Sequence, residues 1–266
     1  MWCDLHLHSH CSDGELSPSA LIDTVADAGI TIAALTDHDT TDGFDEANAR
    51  AQARGVRFIG GIELTTYGGG RVVHVLGLGV RSSDEELTFA NANARGVWDQ
   101  NQRRWIETLT KSGVAVSWEL DFNDHPVRLP VLIERLCRRG FADGDGVKCH
   151  AAFRAFFAAL PPEAYAKLPS PAQAGAIVRA AGGVALLAHP AELAEEGLAQ
   201  RWLDDLDGLE ALYLRYDADT RAELRALATA RAKLYSCGSD WHGYFQGPYE
   251  NPQFDAPSQL LARLRD

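Results

Sequence analysis

Short apolar runs that end in a histidine or an acid, separated by helix-like stretches, recur along most of this chain and constrain it to an α/β architecture. Ile32-Ala33-Ala34-Leu35 leads into Thr36-Asp37-His38-Asp39, and Phe58-Ile59-Gly60-Gly61-Ile62 leads into Glu63. His74 lies inside Val72-Val73-His74-Val75-Leu76. Val184-Ala185-Leu186-Leu187 closes on Ala188-His189-Pro190, and Lys233-Leu234-Tyr235-Ser236-Cys237 on Gly238-Ser239-Asp240-Trp241-His242-Gly243. The first such run carries the densest signal, Asp4-Leu5-His6-Leu7-His8-Ser9-His10-Cys11-Ser12-Asp13-Gly14. Strand alternation points His6 and His8 to one face. Two neutral imidazoles followed by a carboxylate at Asp13 read as half of a metal site suited to Zn, Mn or Fe. Leaving aside His10, six of the nine histidines fall on these runs or at their carboxyl ends.

In α/β folds the carboxyl ends of parallel strands gather on one face, and active sites are assembled there from several strands. About seven strand units can be counted, one short of an eight-fold barrel. Helices are expected between them. One runs from Pro18 to Ala28, with Ser17 as N-cap before a proline at the first helical position; another runs from Asp42 to Arg54, stopped by Gly55. Later helices are expected over Ala191 to Leu206, Asp219 to Lys233 and Pro257 to Arg265.

From roughly Ser83 to Ser170 no apolar run ends in an acid or histidine, so an inserted helical subdomain over 83–170 is expected between barrel segments 1–82 and 171–266. Ser83 to Lys111 suits a long helix with Trp98 and Trp105 on one face. Leu129 to Arg139 and His150 to Ala159 suit two more, and Pro161-Pro162 and Pro169-Ser170-Pro171 punctuate the return.

With 266 residues and 46% hydrophobic content, the chain can build one large domain plus an insertion. No apolar run approaches the roughly 20 residues that span a bilayer. Met1-Trp2-Cys3-Asp4 leads straight into the first strand without a signal peptide, so a cytoplasmic location is expected. The five cysteines lack CxxC spacing and read as reduced packing residues. A net charge of −12 argues against holding long duplex nucleic acid, which needs basic groups to displace counterions. Small anionic substrates remain open, because bound cations would offset Asp13, Glu63 and Asp240.

DLHLHSHCSDG, TDHD, GIEL, the histidine of VVHVLGLG, AHP and GSDWHG occur in the order of the motifs of the PHP family, named for its polymerase and histidinol-phosphatase members, and the chain resembles that family over residues 1–82 and about 175–250. Within it, the insertion and the close spacing of Glu63 and His74 are most similar to the branch that includes nucleoside-3′,5′-bisphosphate phosphatase and the 5′-to-3′ ribonuclease. The resemblance implies a distorted seven-stranded, TIM-like βα barrel with three divalent ions. His6, His8, Glu63 and Asp240 would hold the first ion, and Glu63 would bridge to a second held by His74 and His189. Asp13, His38 and His242 would hold the third. A bridging carboxylate suits two ions about 3.5–4 Å apart, the spacing used to activate water. Manganese is the expected metal, with Fe, Zn or Co also suited to this donor set. Asp240, Glu63 and His189 are the expected catalytic residues, Asp240 as the acceptor of the water's proton.

Other polar residues read more plainly. His10, Asp37 and Asp39 are expected to support the ligands or cap helices rather than bind metal. His125 and His150 read as ordinary residues of the insertion. Arg103 and Arg104, on a helix with Asn101, and Arg128, at a helix start before Pro130, could hold a terminal phosphate in bidentate fashion. Relatives often carry a histidine shortly after that arginine, where this chain reads Arg128-Leu129-Pro130-Val131. Trp98 or Phe122 could stack on a base.

Together these readings predict a metal-dependent phosphohydrolase that removes the 3′-phosphate from nucleoside 3′,5′-bisphosphates. The alternatives are exonucleolytic cleavage of short 5′-phosphorylated RNA, action on a small metabolite such as histidinol phosphate, and a metal-binding accessory domain without turnover. No membrane partner is expected, and oligomeric state is not legible.

Overall fold

The computed structural model describes residues 1–121, 128–191, 193 and 198–264. The chain forms two compact units, Met1–Asn91 with Pro169–Asp266, and Ala92–Leu168. Phe122, His125, and parts of the helices expected over Ala191 to Leu206 and Pro257 to Arg265 lie outside the described residues.

The first unit is built on a seven-stranded sheet in sequence order. Its strands are β1 (Trp2–Asp4), β2 (Ile30–Leu35), β3 (Arg57–Gly68), β4 (Arg71–Leu78), β5 (Val184–Leu187), β6 (Gly208–Tyr213) and β7 (Leu234–Gly238). The β1–β2, β2–β3, β5–β6 and β6–β7 pairs are parallel. β4 is the exception and runs antiparallel to both neighbours. The reason is local: Gly69 and Gly70 both take positive φ, as a two-residue hairpin whose twist matches its strands requires. Reversal also explains why His74 sits inside its run, since the amino half of β4 lies beside the carboxyl half of β3, with His74 opposite Thr65.

The edges of the sheet meet. The Leu5 amide donates to the Cys237 carbonyl at 3.0 Å, the Asp240 amide donates to the His6 carbonyl at 2.9 Å, and Leu7 bridges Trp241 in parallel. One buried core gathers Cys3, Ile32, Ile59, Leu76, Leu186 and Cys237, side chains from six strands. Two others pack the sheet against helices, as the alternating arrangement requires.

The helices are α1 (Pro18–Asp27), α2 (Phe44–Arg54), α3 (Glu85–Lys111), α4 (Trp118–Asp121), α5 (Leu129–Arg138), α6 (Gly146–Ala158), α7 (Pro171–Ala180), α8 (Leu198–Leu203), α9 (Ala218–Ala230) and α10 (Ser258–Leu261). Ser17 caps α1 by accepting from the Ala20 amide, and Gly55 ends α2 in the left-handed conformation. The Pro169-Ser170-Pro171 stretch does more than punctuate. Ser170 and Gln173 form a reciprocal capping box with Pro171 in the first turn, and they start α7. α6 begins earlier than its apolar pattern suggests, because the Asp145 carboxylate accepts from the Val147 and Lys148 amides. α3 begins in the first unit, where Leu87 and Ala90 join the core. Further along, Trp105 and Ile106 join Leu132, Leu136, Phe153 and Phe157 in the core of the second unit. Among the described residues no helix is long and apolar enough to cross a membrane.

Candidate metal centre

The expected ligands His6, His8, Asp13, His38, Glu63, His74, His189, Asp240 and His242 meet at the polar ends of the strands. Segment 5–8 extends β1 between the ends of β2 and β7. Thr36 exchanges hydrogen bonds with Leu7, and the His8 amide donates to the Trp241 carbonyl. His38 follows β2 and bridges Glu63 of β3 in parallel. His189 follows β5, and Asp240 and His242 follow β7.

Glu63 is the centre of the cluster. Its Oε2 lies 3.1 Å from His6 Nε2, 3.2 Å from His8 Nε2 and 3.3 Å from His38 Nδ1. Its Oε1 lies 3.2 Å from His74 Nδ1 and 3.1 Å from His189 Nε2. Asp240 Oδ1 faces the same two strand histidines, 3.4 Å from His6 Nε2 and 3.1 Å from His8 Nε2. Asp13 lies 3.2 Å from His242 Nε2, 3.7 Å from His8 Nδ1 and 3.9 Å from His38 Nε2.

Three groups of donors converge closely enough to hold an ion each: His6, His8, Glu63 and Asp240; His38, Glu63 and His74; and His8, Asp13, His38 and His242. The grouping differs in detail from the motif-based one. His38 lies between Glu63 and Asp13, His8 borders two groups, and His189 reaches the middle group through Glu63 and through His74 Nδ1 at 3.3 Å.

The donor atoms fit metal ions. His6 Nε2, both ring nitrogens of His8, His38 Nδ1, Glu63 Oε2 and His74 Nε2 are buried without a hydrogen-bond partner. Buried polar atoms are rarely left so. Donors held about 2.0–2.2 Å from a shared ion stand roughly 3–4 Å from one another, which is the spacing found here.

Charge points the same way. Burial pushes the Glu63, Asp240 and Asp13 carboxyls up, but the surrounding imidazoles outweigh it and hold all three well below the usual carboxylate range. Burial pushes His6 and His8 down; Glu63 with Glu210 and Asp240 raises His6 well above its ordinary value, and Asp240 with Glu63 raises His8 to about 10. His38 goes the other way, pushed down to about 3 by burial that Glu63 and Asp13 do not overcome. The pocket therefore demands positive charge at its carboxylates, which divalent cations supply while leaving the imidazoles neutral.

Among the residues that support the ligands, Glu210 and Tyr213 lie outside the motifs, whereas Asp4, Asp37 and Asp39 lie within them. Glu210, on β6, places Oε1 3.0 Å from His6 Nδ1, and its Oε2 accepts from the His189 amide at 3.0 Å. The Tyr213 hydroxyl donates to Asp240 Oδ2 at 2.9 Å. Asp4 accepts from the His6 and Ser239 amides and from the Tyr249 hydroxyl. His189 and Asp240 both have positive φ, a strained backbone that such anchors must hold. Asp37 accepts from the Ser9 amide and hydroxyl and from the Ser12 hydroxyl, which ties the loop after His8 to the end of β2. Asp39 binds the Thr65 amide and hydroxyl; its carboxyl is pushed up to about 6 by burial, against those hydrogen bonds. His10 is exposed and belongs to none of the three donor groups.

The proposed phosphate-binding residues lie in the second unit. Asn101 is buried, with its amide donating to the Ala164 carbonyl and its oxygen accepting from Arg104 at 3.2 Å. Arg103 pairs with Asp99 and stacks over Trp118 at 4.5 Å. Arg128 is the N-cap residue of α5 and makes no side-chain capping bond there. Trp98 stacks on Phe153 and packs at a tilt against Phe157, and His150 stacks on Phe153.

The model of the PHP domain matches residues 4–111. A 3′,5′-nucleoside bisphosphate phosphatase of Chromobacterium violaceum is 32% identical over 262 residues, 92% of this chain and 88% of that protein. A 5′-3′ exoribonuclease of Haemophilus influenzae is 28% identical over 254 residues, 90% of this chain and 89% of that protein. In structure, a candidate metal-dependent phosphoesterase of Bifidobacterium adolescentis superposes with a TM-score of 0.81 at 26% identity, covering 99% of this chain and 96% of that one.

Proposed function

The chain belongs to the PHP family of metal-dependent phosphoesterases, and on that premise we propose that it removes the 3′-phosphate from nucleoside 3′,5′-bisphosphates such as adenosine 3′,5′-bisphosphate, leaving the 5′-nucleotide. The observation that carries the metal-dependent part is Glu63, whose two oxygens stand within 3.3 Å of five imidazoles. The likeness to the C. violaceum phosphatase along nearly the whole chain supports the choice of substrate.

His6, His8, Glu63 and Asp240 would hold one ion, Glu63 with His74 and His189 a second, and Asp13, His38 and His242 a third, with manganese the metal we favour. Divalent cations at these positions supply positive charge to the phosphoryl oxygens and bring the pKa of water toward neutrality. The chain's own residues then fix the geometry of transfer. Glu63 keeps neighbouring donors in register, and Asp240, held through Oδ2 by Tyr213, offers Oδ1 as the proton acceptor. Electrostatic stabilisation of the developing charge suffices, without a covalent enzyme intermediate. Arg104 and Arg128 are assigned to the 5′-phosphate, since a guanidinium matches a terminal phosphate in two parallel hydrogen bonds.

A second reading, 5′-to-3′ cleavage of short 5′-phosphorylated RNA, is favoured by the H. influenzae exoribonuclease. It differs only in what hangs from the 3′-phosphate. Turnover on a panel of nucleoside bisphosphates, mononucleotides, 5′-phosphorylated dinucleotides and histidinol phosphate separates the readings. The bisphosphate should give the highest kcat/KM; a higher value for the dinucleotide would reverse the order, and one for histidinol phosphate would reject both.

A further inference from the structure

β6 ends in neither a histidine nor an acid and contributes no residue to the three donor groups. It nevertheless touches three of the expected ligands. Glu210 contacts the His6 ring and the His189 amide, and Tyr213 contacts Asp240. Residues three apart on a regular strand point to opposite faces. Here the pairing of β6 with β7 slips between Glu210, opposite Ser236, and Leu212, opposite Cys237, so one extra residue is inserted and both side chains are aimed at the same cluster. Bulges next to active sites commonly re-aim side chains in this way.

We propose that Glu210 is a positioning residue that sets the tautomer of His6 and the backbone of His189 together, and so couples the occupancy of two ion positions. The inference rests on reading the cluster as a metal centre. A neutral imidazole carries one N–H and one lone pair. With Nδ1–H donated to Glu210 Oε1, the lone pair lies on Nε2, the atom facing Glu63 and Asp240. The other oxygen of Glu210 accepts from the amide of His189, whose φ of 30° needs an anchor. Glu210 is fully buried, so no solvent competes for either bond. Room for the contact is made by Gly238, where a Cβ would stand 2.7 Å from Glu210 Oε1. Tyr213 does the same for Asp240, holding Oδ2 so that Oδ1 turns inward.

Glu210→Gln tests this with little change in shape. A carboxylate accepts at both oxygens, whereas an amide accepts at one end and donates at the other. If its NH2 faces His6, the ring switches to the Nε2–H tautomer and loses its inward lone pair; if it faces His189, the backbone loses its acceptor. Metal-free parent and variant would be titrated with Mn²⁺, and bound ions counted by elemental analysis after removal of free metal. The variant should lose at least one ion or bind it at least tenfold more weakly, within the range seen when ligand-orienting partners are removed. Tyr213→Phe should weaken binding less and leave the count intact. An ion count and affinities within twofold of the parent for Glu210→Gln would overturn the proposal, and a parent that binds no divalent ion would overturn the metal-centre reading beneath it. A measurement on the parent alone stands even if the variant does not fold. In the Zn²⁺-loaded protein with ¹⁵N-labelled histidine, His6 must carry its proton on Nδ1, and a proton on Nε2 rejects the assignment.

Discussion

A Cβ on Gly238 would stand 2.3 Å from the Cβ of His6, closer than real Cβ atoms approach one another. The last strand therefore lies against the first ligand with no space for a methyl group. Gly238→Ala should push His6 off its donors and strain the seam between β1 and β7. The expected result is destabilisation of about 1–3 kcal/mol, as overpacked cores show, together with reduced Mn²⁺ content. Urea unfolding of the metal-free protein and elemental analysis measure the two effects separately, and no change in either would mean that the seam is looser than described.

Glu63→Gln removes a charge that five imidazoles share. It should lower kcat more than any change to a residue facing only one donor group, such as Asp13→Asn, and it should release more than one ion. Single-turnover rates and metal counts for the two variants decide this. Near-normal kcat in Glu63→Gln would mean that the carboxylate does not bridge.

These two residues also show what the amino-acid order reveals and what it hides. Glu63 is legible because it ends an apolar run, and so are His38, His189 and Asp240, since strand ends in an α/β fold share a face. Six of the seven strands follow from the same runs, whereas β6, which ends in neither a histidine nor an acid, is not among them. Gly238 and Glu210 carry no such mark. Their importance arises from approach across the β6–β7–β1 seam, between positions more than two hundred residues apart in the case of Glu210 and His6, and from a bulge that pattern reading does not detect. The reversed β4 was hidden for a related reason, because an apolar run does not state its direction and only the Gly69-Gly70 turn does. α7 is masked by the two prolines before it, which resemble helix breakers although a proline just after a capping serine begins a helix.

Selectivity should reside in the second unit. If Arg104 or Arg128 binds the 5′-phosphate, replacement by Ala should lower kcat/KM for a 3′,5′-bisphosphate at least tenfold, about 1.4 kcal/mol of transition-state binding, and leave a 3′-monophosphate nearly unaffected. Arg104→Ala also removes a hydrogen bond to Asn101, so circular dichroism of that variant must match the parent for the comparison to count. Equal losses on both substrates would place the 5′-phosphate elsewhere.

Reaction of adenosine 3′,5′-bisphosphate, followed by chromatography of the products in metal-free protein before and after addition of Mn²⁺, tests the assignment most directly. The expected result is no turnover without metal, and formation of adenosine 5′-monophosphate with one equivalent of phosphate once Mn²⁺ is restored. Full turnover in protein shown by elemental analysis to hold no divalent ion, or release of the 5′-phosphate instead, would contradict it.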